Sequence, residues 1–116
     1  MARFGEMMRC DGHGNGGQIV AREAVSAIKA GGSKAAFAPA GYQWLTDGSY
    51  TRQWWIMPEN NGAFSARGIH GQAIYVDPVA EVVIVRFGSH PIAANGAFDP
   101  TSLPAFRAVA EHLSRG

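Results

Sequence analysis

Glycine takes fifteen of the 116 positions and gathers in punctuation clusters, Gly12 to Gly17, Gly31-Gly32 and Gly68 with Gly71. That is close to twice ordinary usage. A chain so rich in residues without a Cβ is built for sharp turns and close backbone approaches. Leucine, the usual filler of long helices, occurs only at positions 45, 103 and 113. No fixed period links the glycines, so an internal repeat is excluded. The expectation is a set of short elements joined by tight turns.

A chain of this length buries roughly two thirds of its unfolded surface. With 47% hydrophobic and 16% charged residues it can form a real core, which rules out obligate disorder. Ten Lys and Arg against nine Asp and Glu leave a net charge of +1, too little to steer nucleic acid or acidic lipid. Apolar runs are too short for a membrane span. The single cysteine, Cys10, excludes an internal disulfide and a cysteine-based zinc site. His13, His70, His90 and His112 show no ligand spacing, so neither metal nor other cofactor is expected. The opening Met1-Ala2-Arg3-Phe4-Gly5-Glu6 lacks an apolar leader, and a cytoplasmic setting is the mild preference.

Phe4, Met7 and Met8 define one face of a short helix over 2–9. Asp11 to Gly17 reads as a turn, and Gln18-Ile19-Val20 as a short strand or extended entry. A second helix over 21–30 carries Ala24, Val25 and Ile28 on one face and stops at Gly31-Gly32. From Tyr42 the period changes to 2. A first strand is expected over Tyr50–Met57, closed by Pro58, then a turn at Glu59-Asn60-Asn61-Gly62. A second strand is expected over Gly68–Val76, a turn at Asp77-Pro78-Val79-Ala80, and a third strand over Glu81–Phe87. After a loop from His90 to Asp99, a C-terminal helix runs to about Leu113 with Phe106, Val109, Ala110 and Leu113 inward. The fold class is α+β, a three-stranded antiparallel meander under a C-terminal helix with short N-terminal helices. Residues 1–40 form the helical part and 41–116 the sheet part of one compact unit. The apolar Tyr50–Met57 strand would leave an open edge suited to self-association.

Gly68-Ile69-His70-Gly71-Gln72, Ile74-Tyr75-Val76-Asp77-Pro78 and Val82-Val83-Ile84-Val85-Arg86 together resemble the closing strands of serine hydrolases built like class C β-lactamases. The 6-aminohexanoate-dimer hydrolase group is the nearest look-alike, with family VIII-type esterases beside it. Phe4-Gly5-Glu6-Met7-Met8, Asp11-Gly12 and Gln18-Ile19-Val20 resemble the helix and hairpin that precede those strands. The resemblance implies a partial β-lactamase/transpeptidase-like fold, the last third of such an enzyme. The family's Ser-x-x-Lys nucleophile and base, and its Tyr motif, lie upstream of everything matched.

The resemblance further implies that Ala66-Arg67-Gly68 stands where β-lactamases carry Lys-Thr-Gly, with Ile69 supplying a backbone oxyanion donor beside Gly68. Losing that Lys and Thr disfavours penicillins and favours small amide or ester substrates. Trp55 is the expected pocket wall and His70 a second substrate-binding side chain, although strand alternation turns His70 away from Ile69. Ser26-Ala27-Ile28-Lys29 matches Ser-x-x-Lys literally but is read as coincidence. Ser26 follows a full helical turn, so its N–H is already bonded. By itself such a piece would not turn over substrate. The alternative is a non-catalytic α+β interaction module pairing through its open strand edge, with no nucleic-acid or membrane partner.

Overall fold

The fold, a computed structural model, is described for residues 1–45 and 47–116. Its centre is a five-stranded antiparallel sheet in simple chain order, β3 (Ser49–Thr51), β4 (Trp54–Met57), β5 (Ala63–Arg67), β6 (Ala73–Asp77) and β7 (Val82–Arg86). A two-residue hairpin, β1 (His13–Gly14) and β2 (Gly17–Gln18), stands apart. The helices are α1 (Ala2–Arg9), α2 (Arg22–Lys29), the single turn α3 (Lys34–Phe37) and α4 (Asp99–Ser114).

The α+β class holds, but the expected three strands are five. Tyr50–Met57 folds back on itself: Arg52 and Gln53 both take positive φ (48° and 71°), and Thr51 pairs with Trp54. A two-residue turn of that hand matches strand twist, but Asn-Gly usually marks it. Trp54–Met57 is therefore flanked on both sides, and the edge strands of the sheet are Ser49–Thr51 and Val82–Arg86. Ala63–Arg67, unassigned from sequence, pairs with both β4 and β6 and is the middle strand. The expected strand from Gly68 begins five residues later, at Ala73.

Side-chain alternation splits the sheet into two dry faces. Trp54, Ile56, Phe64, Ile74 and Val76 meet Met7 and Met8 of α1 and Val25 and Ile28 of α2. Met57, Ala63, Ala73, Tyr75 and Val82 meet Phe106 and Ala110 of α4. Helices from 1–40 thus cover one face of the sheet formed by 41–116. Gly5 lets α1 lie close on the strands, since a Cβ there would stand 2.5 Å from Val83 Cγ1.

The buried stripe of α4 is Asp99, Ser102, Phe106 and Ala110. Val109 and Leu113, expected inward, are 45% and 56% exposed. They lie on neighbouring faces of the helix, beyond the reach of the sheet. Ala24 of α2 is likewise exposed. No described helix is long and apolar enough to cross a membrane.

Candidate active site

Gly68, Ile69, His70 and Gly71 form the connection from β5 to β6, not a strand. The chain leaves the ladder after Arg67 and turns back over Ile69–Gly71. His70 (φ 57°) and Gly71 (φ 90°) are left-handed there, and pairing resumes at Ala73 opposite Arg67. A Cβ at Gly71 would also strike the His90 ring, 2.6 Å from Nδ1, so only glycine fits. At Gly68 a Cβ would press on Gln72 Cβ at 3.0 Å, so packing within the turn is the visible reason for that glycine.

The amides of the turn are mostly committed. Gly68 N donates to Gln72 O (2.9 Å), His70 N to Ala93 O (3.0 Å) and Gly71 N to Asn95 Oδ1 (3.2 Å). The Ile69 N–H meets no acceptor among the described residues, and Ile69 is 66% exposed. A cavity of about 560 Å³ opens beside it, lined by Trp55, Arg67, Gly68, Ile69, Asn95 and Asp99 with parts of the 40–44 segment. A second, of about 530 Å³, lies across the Trp55–Arg67–Gly68 ridge and takes in Tyr50, Arg86 and Phe87. A third, of about 430 Å³, between Trp44, Met57 and Leu103, holds none of the residues expected from sequence.

The tryptophans separate by alternation. Trp54 is buried on the α1 side, its ring 5.2 Å from Phe64. Trp55 faces the α4 side, edge-on to Tyr50 at 4.7 Å, and contributes to both cavities on the ridge. His70 stands outside both linings, its Nδ1 2.6 Å from His90 O. Ser26 is exposed on α2, and Lys29 Nζ is taken by Asp11 Oδ1 at 2.6 Å.

Sequence reasoning passed over the charged floor. Arg67 pairs with Asp99 at the start of α4, and both side chains are almost wholly buried (6% and 7% exposed). The Arg67 guanidinium lies 5.6 Å from the Trp55 ring centre and 5.9 Å from that of Tyr42, and Nη1 has no hydrogen-bond partner among the described residues. Arg86, on the same face, donates from Nε to Gly71 O and from Nη1 to Ser102 Oγ, both at 2.7 Å. Burial, and then the positive charge of Arg67, pull the Arg86 guanidinium below its ordinary pKa. Asp99 was legible only as a helix start, and Asn95 lay within a loop of no distinct composition.

The chemistry available is therefore a free backbone donor at the rim of an aromatic-walled cavity over a paired ionic floor. Among the described residues the lining carries no serine, cysteine, histidine or lysine. No group of three or more potential metal ligands occurs among them either.

No protein-family model matches the chain. Over 92 residues it is 41% identical to the 6-aminohexanoate-dimer hydrolase of Paenarthrobacter ureafaciens, a match taking in 78% of this chain and 24% of that protein. A solved structure from Bacillus anthracis, provisionally assigned as a 6-aminohexanoate-dimer hydrolase, superposes with a TM-score of 0.78 at 34% identity. It takes in 98% of this chain and 28% of its own. The chain thus spans about a quarter of the length of the relatives it matches. These similarities fit a C-terminal fragment of a β-lactamase-like hydrolase.

Proposed function

We propose that the chain serves a serine hydrolase acting on amide or ester bonds, with Ile69 N–H as one of two oxyanion donors, Trp55 as a wall of the acyl pocket, and the nucleophile supplied from outside these residues. Acyl transfer needs an activated serine oxygen, a base in reach, and donors aimed at the charge that develops on the carbonyl oxygen. This chain offers the last of these. The observation that carries the reading is the uncommitted Ile69 amide at the cavity rim, in a turn whose flanking N–H groups are bonded. His70 steadies the turn from outside the cavity.

The test removes one hydrogen atom. The Ile69 N–H has no acceptor among the described residues for a proline ring to displace, and Gly68 is extended (φ −116°, ψ 168°), as the residue before a proline must be. The chain is combined with a separately produced upstream part of the Paenarthrobacter protein carrying its serine. Hydrolysis of a short linear amide is expected in the mixture and in neither part alone. Ile69→Pro is expected to lower kcat about 100- to 1,000-fold, as loss of one oxyanion donor does. Undiminished turnover by Ile69→Pro would end the oxyanion role.

A second reading has one observation of its own. Among the described residues the outer side of Ser49–Thr51 has no strand partner, so the chain could act by pairing there. Sedimentation showing a monomer at all concentrations would end that reading.

A further inference from the structure

We infer that Asn95 is the positioning residue that aims the Ile69 amide. The inference rests on the oxyanion reading for its functional meaning, but its geometry stands independently. Asn95 spends both ends of its side-chain amide on the β5–β6 turn. Nδ2 donates to Gly68 O at 2.8 Å, and Oδ1 accepts from Gly71 N at 3.2 Å. Only one orientation of the amide satisfies an acceptor and a donor placed in that way.

Gly68 C=O and Ile69 N–H belong to the same peptide plane. In a trans peptide, as this one is, the two bonds point in opposite directions, and no cis bond occurs among the described residues. Holding the carbonyl on Asn95 therefore directs the N–H away from the Asn95 side-chain amide. The neighbouring planes have their own anchors, Gly68 N on Gln72 O and His70 N on Ala93 O. The 68–69 plane is held, among the described residues, by Asn95 alone.

Nothing local would replace that hold. Gly68 has no side chain to bias its dihedrals, and the Ile69 side chain is largely in solvent. Without the Nδ2 bond the plane is free to rotate between its two anchored neighbours. The bond also polarises the peptide, because a carbonyl that accepts makes its own N–H a better donor. Asn95 would thus raise catalysis through Ile69 without touching substrate.

Asn95→Asp separates this role from general loop anchoring, since the carboxylate keeps an acceptor for Gly71 N and loses the donor to Gly68 O. In ¹⁵N–¹H spectra of the whole chain, the Ile69 cross-peak is expected to shift or broaden in Asn95→Asp and Asn95→Ala, while those of Ala66 and Ile74 in the ladder stay in place. In the wild type, a through-hydrogen-bond coupling from Asn95 Nδ2 to the Gly68 carbonyl carbon is expected, and this measurement decides if a variant fails to fold. An Ile69 amide indifferent to Asn95→Asp, or absence of that coupling, overturns the inference. In the complemented hydrolase the same variant is expected to lower kcat about 100-fold with KM little changed. A moved Ile69 amide with unchanged kcat would keep Asn95 as the positioning residue and remove the oxyanion role from Ile69.

Discussion

Asn60 Nδ2 donates a 2.6 Å hydrogen bond to the Tyr75 hydroxyl, reaching from the β4–β5 turn to the polar tip of a fully buried phenol on β6. The ring itself packs on Phe106 of α4, centroids 5.5 Å apart. A single hydrogen bond thus satisfies a tyrosine that the core could not otherwise bury.

That environment predicts an alkaline transition. Burial, reinforced by the nearby Asp77 carboxylate and opposed by the Asn60 bond, pushes the Tyr75 hydroxyl up to about 12. The folded form then holds a proton that the unfolded chain releases near 10, so stability is full below pH 10 and falls as pH rises toward 12. Of the three tyrosines, one is expected to ionise late in an absorbance titration, and urea midpoints should drop over the same range. The absence of any late-ionising tyrosine would refute this.

Removing Arg67 leaves the Asp99 carboxylate buried without its counter-ion. Arg67→Met is expected to cost about 3–5 kcal/mol in denaturant unfolding, and Arg67→Met with Asp99→Leu to recover much of that loss. A double variant no better than the single would show that the pair is not the source of the cost.

Arg52 and Gln53 hold positive φ without being glycine or asparagine, at a cost of order 1–3 kcal/mol each. The double substitution Arg52→Asn with Gln53→Gly gives the turn the dipeptide that its geometry favours, and is expected to stabilise the fold by about 1–2 kcal/mol. Thermal denaturation reads the gain, and a loss would mean that the native side chains hold the turn.

Phe64 and Ser26 should behave oppositely. Phe64, fully buried on the middle strand, is expected to cost about 3–5 kcal/mol as Phe64→Ala. Ser26→Ala, at an exposed helix position, should stay within about 0.5 kcal/mol, and a serine-directed fluorophosphonate should leave Ser26 unlabelled. Labelling there would restore Ser26-Ala27-Ile28-Lys29 as a candidate nucleophile motif.

What was legible in the chain followed from strong local patterns. Val82–Val85 is continuous β-branched sequence, and α1 and α2 show their apolar faces at Met7, Met8, Val25 and Ile28. Ala63–Arg67 escaped because Ala-Phe-Ser-Ala-Arg has no β-branched residue. Its strand identity comes from neighbours on both sides. Ile69 was marked by resemblance to a known family, on the assumption that it lay in a strand. Asn95 carried no mark at all, since one asparagine in a loop looks like any other.

By itself the sequence determined the α+β class, the turn at Asp77–Ala80, the order of the helices and the separation of Trp54 from Trp55, because each depends on local propensity or on the two-residue period of a strand. Only the tertiary structure decided that the sheet has five strands, that Gly68–Gly71 is a turn, and that Arg67 meets Asp99 while Asn95 meets Gly68. Those contacts join residues 27 to 32 positions apart. Long-range pairings of that kind depend on where the whole chain folds back, which no window of neighbouring residues specifies.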